Sequence, residues 1–132
     1  MFELLQTSKR VLTDYFVASS VDEALGYLTS QHGLAQAVSG GTLLMPQLQR
    51  GEAQVTRLVD VSHIGSMTRL TREDDMLLIG GAVTFSRLLC HNDACAAAPL
   101  LCEAVSALGT PGVRHLATLA GNVVAAVGNS DG

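Results

Sequence analysis

The stretch that could do chemistry is Gly40-Gly41-Thr42. It follows a short apolar run, Ala35 to Ser39, and precedes Leu43, Leu44, Met45 and Leu48 at helical spacing. Strand, glycine turn and helix is the natural parse, with Gly51 closing the helix and Pro46 near its first turn, where a missing amide costs little. At such a junction Gly40 and Gly41 let the main chain approach an anion, and the amides of Thr42, Leu43 and Leu44 lie free at the helix start. A pyrophosphate suits that arrangement. Each amide bond to a charged acceptor is worth about 1.5 to 3 kcal/mol, so a few of them hold a phosphate pair without a lysine or arginine. The first cation downstream of the glycines is Arg50. A second segment, Ala117-Thr118-Leu119-Ala120-Gly121-Asn122, offers small residues, a hydroxyl and a carboxamide in a loop suited to close approach of a ligand. Taken singly, each feature has a plainer reading: Gly-Gly as a tight turn, Asn122 as a residue satisfying loop backbone, Asp131 as a solvated acid.

Other chemistry is sparse. Neither Gly-x-Gly-x-x-Gly nor Gly-x-x-x-x-Gly-Lys-Ser/Thr occurs, which excludes the Rossmann and Walker phosphate loops. His32, His63, His91 and His115 are scattered, and no Ser-His-Asp or paired-carboxylate grouping stands out, so no catalytic residue and no metal ligand is expected. Cys90, Cys95 and Cys102 form no Cys-x-x-Cys pair and lie in an Ala- and Leu-rich stretch that reads as helix. Reduced, buried thiols in a cytoplasmic protein are the expectation there. No stretch reaches the roughly 20 apolar residues of a membrane span, and charged residues break the runs between Met1 and Phe16, so neither a signal peptide nor an anchor is expected.

The elements that must position the glycines follow from the pattern around them. The 132 residues amount to one domain or part of one, with 48% apolar residues, 15% charged and a mean hydropathy of +0.32, which favours a folded core over disorder. A net charge of −4 argues against nucleic acid. Aromatics are only 4%, so Leu, Val and Ala must build that core. Ser20-Val21-Asp22-Glu23 is a capping-box pattern that starts a helix, with Val21, Ala24, Leu25 and Leu28 as one stripe and Gly33 as its stop. Val55 to Val61 reads as a further buried strand, so the first part is a β/α unit with parallel strands. A boundary near Ser62-His63 follows. Met67 to Arg72 and Met76 to Ile79 flank the acidic turn Glu73-Asp74-Asp75 as a hairpin. Thr84 caps a short helix carrying Phe85, Leu88 and Leu89; a longer one with Leu101, Ala104, Val105 and Leu108 ends at Gly109-Thr110-Pro111-Gly112. The apolar, glycine-rich segment from Leu116 to Gly128 has no further element to cover it, as in a chain cut short or completed by a partner.

Three motifs in order carry a resemblance: Val38-Ser39-Gly40-Gly41-Thr42, Leu78-Ile79-Gly80-Gly81-Ala82-Val83-Thr84, and Val113-Arg114-His115-Leu116-Ala117-Thr118-Leu119-Ala120-Gly121-Asn122. Together they resemble the FAD-binding domain of the molybdenum hydroxylases, a family that includes xanthine dehydrogenase, aldehyde oxidase and the medium subunit of carbon monoxide dehydrogenase. The resemblance runs from about Tyr15 to Asp131. It implies an α+β chain with the PCMH-type FAD-binding fold: a small β/α subdomain with parallel strands, residues 12–62, then the start of a larger antiparallel-sheet subdomain with helices, residues 63–132. It also implies site residues. Ala37, Val38, Ser39, Gly40, Gly41, Thr42, Leu43 and Leu44 would wrap the FAD pyrophosphate, and Leu108 and Gly109 would lie beside the flavin. Ala117, Thr118, Gly121 and Asn122 match the second cofactor loop, and Asp131 matches an acid that bonds the cofactor's polar chain.

Three positions depart from the family pattern. Leu43 replaces an acid, Gly128 replaces a proline, and Ala120 replaces a glycine, where a methyl would crowd the flavin if that backbone needs positive φ. The resemblance further implies an oxidoreductase subunit of xanthine dehydrogenase type. Its partners would be a molybdenum-cofactor subunit and a two-iron, two-sulfur (2Fe-2S) subunit, and electrons would pass through FAD to NAD or oxygen. The flavin would carry the redox chemistry and the protein its binding and orientation. Two other readings stand beside this one: a truncated relative without cofactor that serves as an assembly piece, and a module binding some other phosphate ligand.

Overall fold

In the computed structural model of the chain, which describes residues 12–125, a central strand organises the first half. Strand β3 (Arg57–Asp60) lies between β1 (Asp14–Val17) and β2 (Ala35–Val38), and both neighbours run parallel to it. Alternation along β3 sends Leu58 to one face and Val59 to the other, and both are completely buried. Val59 packs with Ala18, Ala24, Val61 and Ile64 under helix α1 (Val21–Ser30), whereas Leu58 packs with Val38, Leu44 and Leu48 under helix α2 (Leu44–Gln49). The central strand is therefore covered on both sides, which is why apolar Leu58 and Val59 follow one another in place of a polar alternation.

Ser20 caps α1 as its sequence requires, its hydroxyl accepting from the Glu23 amide at 3.1 Å. The Glu23 carboxylate reaches one residue further back than a capping box would have it, taking the amide and hydroxyl of Ser19 at 2.6 and 2.7 Å. Those bonds hold its carboxyl below the usual carboxylate range. The expected apolar stripe of α1 is divided: Ala24 and Leu28 turn inward with Tyr27, and Val21 and Leu25 face solvent.

The second half is antiparallel and helical. A 3-10 turn at Gly65–Thr68 occupies the start of the expected first hairpin strand, so β4 (Leu70–Glu73) pairs with β5 (Met76–Ile79) across Asp74-Asp75, with Asp74 at φ 51. Thr84 caps α3 (Phe85–Leu89), its hydroxyl accepting from the Arg87 amide at 3.3 Å. The long Ala- and Leu-rich stretch is two helices, α4 (Asn92–Ala97) and α5 (Pro99–Ala107), because Pro99 can open a helix but cannot continue one. Gly109-Thr110-Pro111-Gly112 both ends α5 and begins α6 (Pro111–Leu116), with Thr110 capping and Pro111 in the first turn. Leu70, Val83, Phe85, Leu88, Ala94, Cys102, Val105 and Ala117 form the core of this half.

The cysteines differ from expectation. Cys95 on α4 and Cys102 on α5 are joined as a disulfide with a Cα–Cα separation of 5.5 Å, and Cys90 is free and exposed. Both bonded positions face the α4–α5 contact. Sequence spacing alone does not show this, because the break at Pro99 folds one helix back on the other.

One polar group is buried at the sheet's carboxyl end. Asp60 is 7% exposed, accepting from Tyr15 Oη at 2.5 Å and from the amide and hydroxyl of Ser62 at 2.8 and 2.6 Å. Burial alone would raise its pKa, but the Ser62 and Tyr15 hydrogen bonds outweigh that and hold it below the usual 3.8. The same bond, with burial, pushes the Tyr15 phenol up to about 12. A depressed carboxyl stabilises the fold above its unfolded pKa and loses that contribution as pH falls through the folded value. Asp60→Asn is therefore expected to cost about 1 to 3 kcal/mol at neutral pH in urea titrations. The gap between variant and parent should close as the pH is lowered from roughly 5 towards 2.

Candidate functional site

The site is built where two distant segments meet. The turn after β2 carries Ser39, Gly40 and Gly41 into α2, and the chain leaving α6 carries Leu116, Ala117 and Thr118 into a last helix, α7 (Leu119–Ala125). Gly40 sits directly on the second segment. A Cβ built there would fall 2.0 Å from the Leu116 carbonyl oxygen and 3.1 Å from the Ala117 Cα. Gly41 is required for a different reason, its φ of +66, which turns the chain so that its carbonyl accepts from the Met45 amide at 3.0 Å. The second segment is fixed from behind by α3: the Phe85 amide donates to the Ala117 carbonyl at 2.9 Å, and Thr84 bridges Thr118.

Between the segments lies a cleft of about 560 Å³. Its middle is main chain. Among the described residues, the amides of Gly40, Gly41, Thr42, Leu43 and Leu44 donate to no acceptor, and no side chain caps α2. With only six residues, α2 adds little macrodipole, so the attraction for an anion rests on these amides themselves. Among the described residues, no lysine, arginine, histidine or acid lines the cleft. Arg50, the first cation downstream, is held by Glu52 in a bidentate pair at 2.7 and 2.8 Å. Among the described residues no group of three or more His, Cys, Asp or Glu stands together as a metal site, and no helix is long and apolar enough to cross a membrane.

Twelve of the residues expected from sequence line this cleft: Ala37, Val38, Ser39, Gly40, Gly41, Thr42, Leu43, Leu44, Ala117, Thr118, Gly121 and Asn122. Leu108 and Gly109 do not; their carbonyls accept from the Arg114 guanidinium at 2.9 and 3.0 Å, and Gly109 packs behind Val113, which does line it. Asp131 and Gly128 lie outside the described residues.

The expected second loop is in fact the first turn of α7. Thr118, only 4% exposed, accepts from the Gly121 amide at 3.0 Å, and a Cβ on Gly121 would meet that hydroxyl at 2.9 Å. Ala120 sits within this helix, is not among the positive-φ residues, and turns its methyl toward Gly81 rather than into the cleft. Its departure from glycine therefore brings no backbone strain. Sequence reasoning missed Gln36, Gln47, Phe85, Val113, Val124 and Ala125, which also line the cleft. For Ala125 a signal existed: Thr118, Gly121, Asn122 and Ala125 follow the i, i+3, i+4, i+7 spacing of one helix face.

The sequence and the fold that build this cleft are shared with known proteins. Residues 7–132 match the family model described as the FAD binding domain in molybdopterin dehydrogenase. The xanthine dehydrogenase FAD-binding subunit of Escherichia coli O157:H7 is 30% identical over 110 residues, covering 83% of this chain and 37% of that subunit. The carbon monoxide dehydrogenase medium chain of Hydrogenophaga pseudoflava is 28% identical over the same length, covering 83% and 38%. Among solved structures, carbon monoxide dehydrogenase from Hydrogenophaga pseudoflava superposes with a TM-score of 0.81 at 28% identity, over 83% of this chain and 38% of that one. Quinoline 2-oxidoreductase from Pseudomonas putida 86, at 23% identity and a TM-score of 0.79, shares the fold. The chain thus spans a little over a third of the length of the curated relatives it matches. On the family match, the chain belongs to the FAD-binding domains of the molybdopterin dehydrogenases, whose cofactor is FAD.

Proposed function

We propose that this chain holds the pyrophosphate and adjoining parts of FAD in the cleft between the Gly40-Gly41 turn and α7, as the flavin-carrying part of a molybdenum-containing hydroxylase or dehydrogenase. The observation that carries the reading is the row of unpaired amides from Gly40 to Leu44 in a cleft whose described lining carries no charged side chain. Those amides would take the phosphate oxygens. The buried Thr118 hydroxyl, already accepting from Gly121, keeps its own proton to donate, and Asn122 adds a carboxamide from the same helix face. Leu43, Val113 and Val124 supply apolar wall at the mouth. Leu108 and Gly109, held by Arg114, would back the Val113 wall, and Asp131 would bond the cofactor's polar chain. We assign residues 12–62 and 63–132 to two subdomains that close on the cofactor from either side.

When bound, FAD supplies the redox chemistry, accepting electrons and passing them on. The chain's own contribution is binding, orientation and the exclusion of competing charge. Relatives named as a xanthine dehydrogenase FAD-binding subunit and a carbon monoxide dehydrogenase medium chain support a place in a complex of xanthine dehydrogenase type. The partners would be a molybdenum-cofactor subunit and a 2Fe-2S subunit. Electrons would arrive from the clusters and leave to NAD or oxygen, in the cytoplasm.

Added FAD is expected to give a flavin spectrum shifted from that of the free cofactor, and a fluorescence titration that saturates. Gly41→Val should abolish both, because a branched side chain at φ +66 is strained and lies in the phosphate turn. An unshifted spectrum with the parent chain would overturn the assignment and favour the cofactor-free assembly piece.

A second expectation concerns electrostatics. With no titratable or cationic side chain among the described lining residues, FAD affinity should change less than about threefold from low to high salt, and be equally flat from about pH 6 to pH 9. A steep salt dependence would show that a cation holds the phosphates. Gly40→Ala tests the junction itself: driving the Leu116 carbonyl away should lower stability by about 1 to 3 kcal/mol and weaken FAD together.

A further inference from the structure

Three cysteines lie around the carbonyl end of α3, and only Cys90 is fully exposed. The Cys95–Cys102 disulfide ties α4 to α5, with Cys102 only 7% exposed in the core of the second half. Cys95 Sγ lies 3.7 Å from the Leu88 carbonyl oxygen and 3.8 Å from that of Leu89. The residue after Leu89 is Cys90, free, exposed and fixed as the last turn of α3 by its amide's bond to Ser86 at 3.1 Å. The one solvent-facing thiol is therefore attached a single peptide unit from the carbonyl that the inner disulfide touches.

We propose that Cys90 is the entry point of a thiol–disulfide exchange site, through which a low-molecular-weight thiol opens, and its disulfide re-forms, the Cys95–Cys102 bond. In the internal step Cys90 loses its proton and its thiolate attacks Cys95 Sγ. The Cys90–Cys95 bond forms as the Cys95–Cys102 bond breaks, and the electron pair leaves on Cys102, which takes up a proton. No net oxidation occurs. An external thiol then attacks Cys90 Sγ, releasing Cys95 as a thiol and leaving a mixed disulfide on the exposed residue. A second external thiol removes that adduct as its own disulfide and restores free Cys90. Over the cycle two external thiols are oxidised to one disulfide and the Cys95–Cys102 bond is reduced to two thiols.

The pocket suits both states. Once opened, the Cys95 thiol has two carbonyl oxygens within reach of its weak donor, so reduction leaves no stranded polar group. Direct attack by an external thiol is hindered, because Cys102 is buried and Cys95 is half-buried against α3.

The test uses the unreduced chain with reduced glutathione as the probe, quenched by iodoacetamide and read by peptide mass mapping. Before glutathione, Cys90 alone should be alkylated and Cys95 and Cys102 should be found linked. The bond should open at least about tenfold more slowly in Cys90→Ser, whose exposed site leaves the fold intact. In a second variant, Cys102→Ser, oxidised glutathione should produce a Cys90–Cys95 crosslink. Equal opening rates with and without Cys90, or separate glutathione adducts on Cys90 and Cys95 in place of the crosslink, would overturn the proposal. So would unlinked Cys95 and Cys102 in the unreduced protein.

Discussion

The approach of Gly40 to the Leu116–Ala117 main chain is the constraint on which the rest of the structure depends. The turn that follows a parallel strand presses its backbone onto the backbone that enters the last described helix, with no room for even a methyl between them. Backbone against backbone fixes separation more tightly than side chains could, because a peptide group cannot rotate away. The cleft is the space left on one side of this contact. Its walls consequently come from both halves of the chain, and neither the parallel sheet nor the helical half contains it alone.

That geometry explains an electrostatic choice. A site for a doubly negative linker can use cations or main-chain dipoles. Cations on long side chains must be ordered at an entropic cost, whereas amides held by a strand and a turn are already in place. Here every arginine whose contacts are described is engaged elsewhere: Arg50 by Glu52, Arg69 by Glu73, Arg57 by Gln31, Arg87 by Thr68, Arg72 by Asp74 and Arg114 by the carbonyls ending α5. The five amides are left for the cleft. Leu43 at the mouth fits this picture, since an acid there would repel an anion in the cleft unless it were itself hydrogen-bonded.

What the sequence made legible, and what it hid, divides along physical lines. Strands β2 and β3 were readable within Ala35 to Ser39 and Val55 to Val61, and their parallel pairing followed from the helix between them, whereas β1, mostly exposed, gave no strand signal. The Gly40-Gly41 turn from strand to helix was readable from the apolar runs on either side of it. Local chemistry sufficed, although the reason for Gly40 itself, a carbonyl from a distant segment, lies outside any local window. The helical half was harder. Pro99 and Pro111 each begin a helix, a role easily mistaken for an end, and Gly121 disguised the first turn of α7 as a loop. Gln36 and Gln47 gave no sign at all, since a carboxamide on a strand or helix carries no pattern until its neighbours are placed. The cysteines failed similarly: a break between helices, not spacing, brings Cys95 to Cys102.

These features converge on α3. Its first residue anchors the second wall of the cleft, through the Phe85 amide on Ala117 and the Thr84 bridge to Thr118, and its last turn touches the Cys95–Cys102 disulfide. Leu88 and Phe85, on the same inward face, bury themselves in the cluster that contains Cys102, Val105 and Ala117. The five residues of α3 thus lie in one close-packed cluster that touches both the disulfide between α4 and α5 and the segment carrying Thr118. The parallel sheet has no such connection. Its polar anchor, Asp60 with Tyr15 and Ser62, is internal to the first half and leaves the Gly40 turn where the strand puts it. The Gly40 turn is thus placed by the sheet and by its contact with Leu116 and Ala117, and the second wall by a helix whose last turn also lies against the Cys95–Cys102 disulfide.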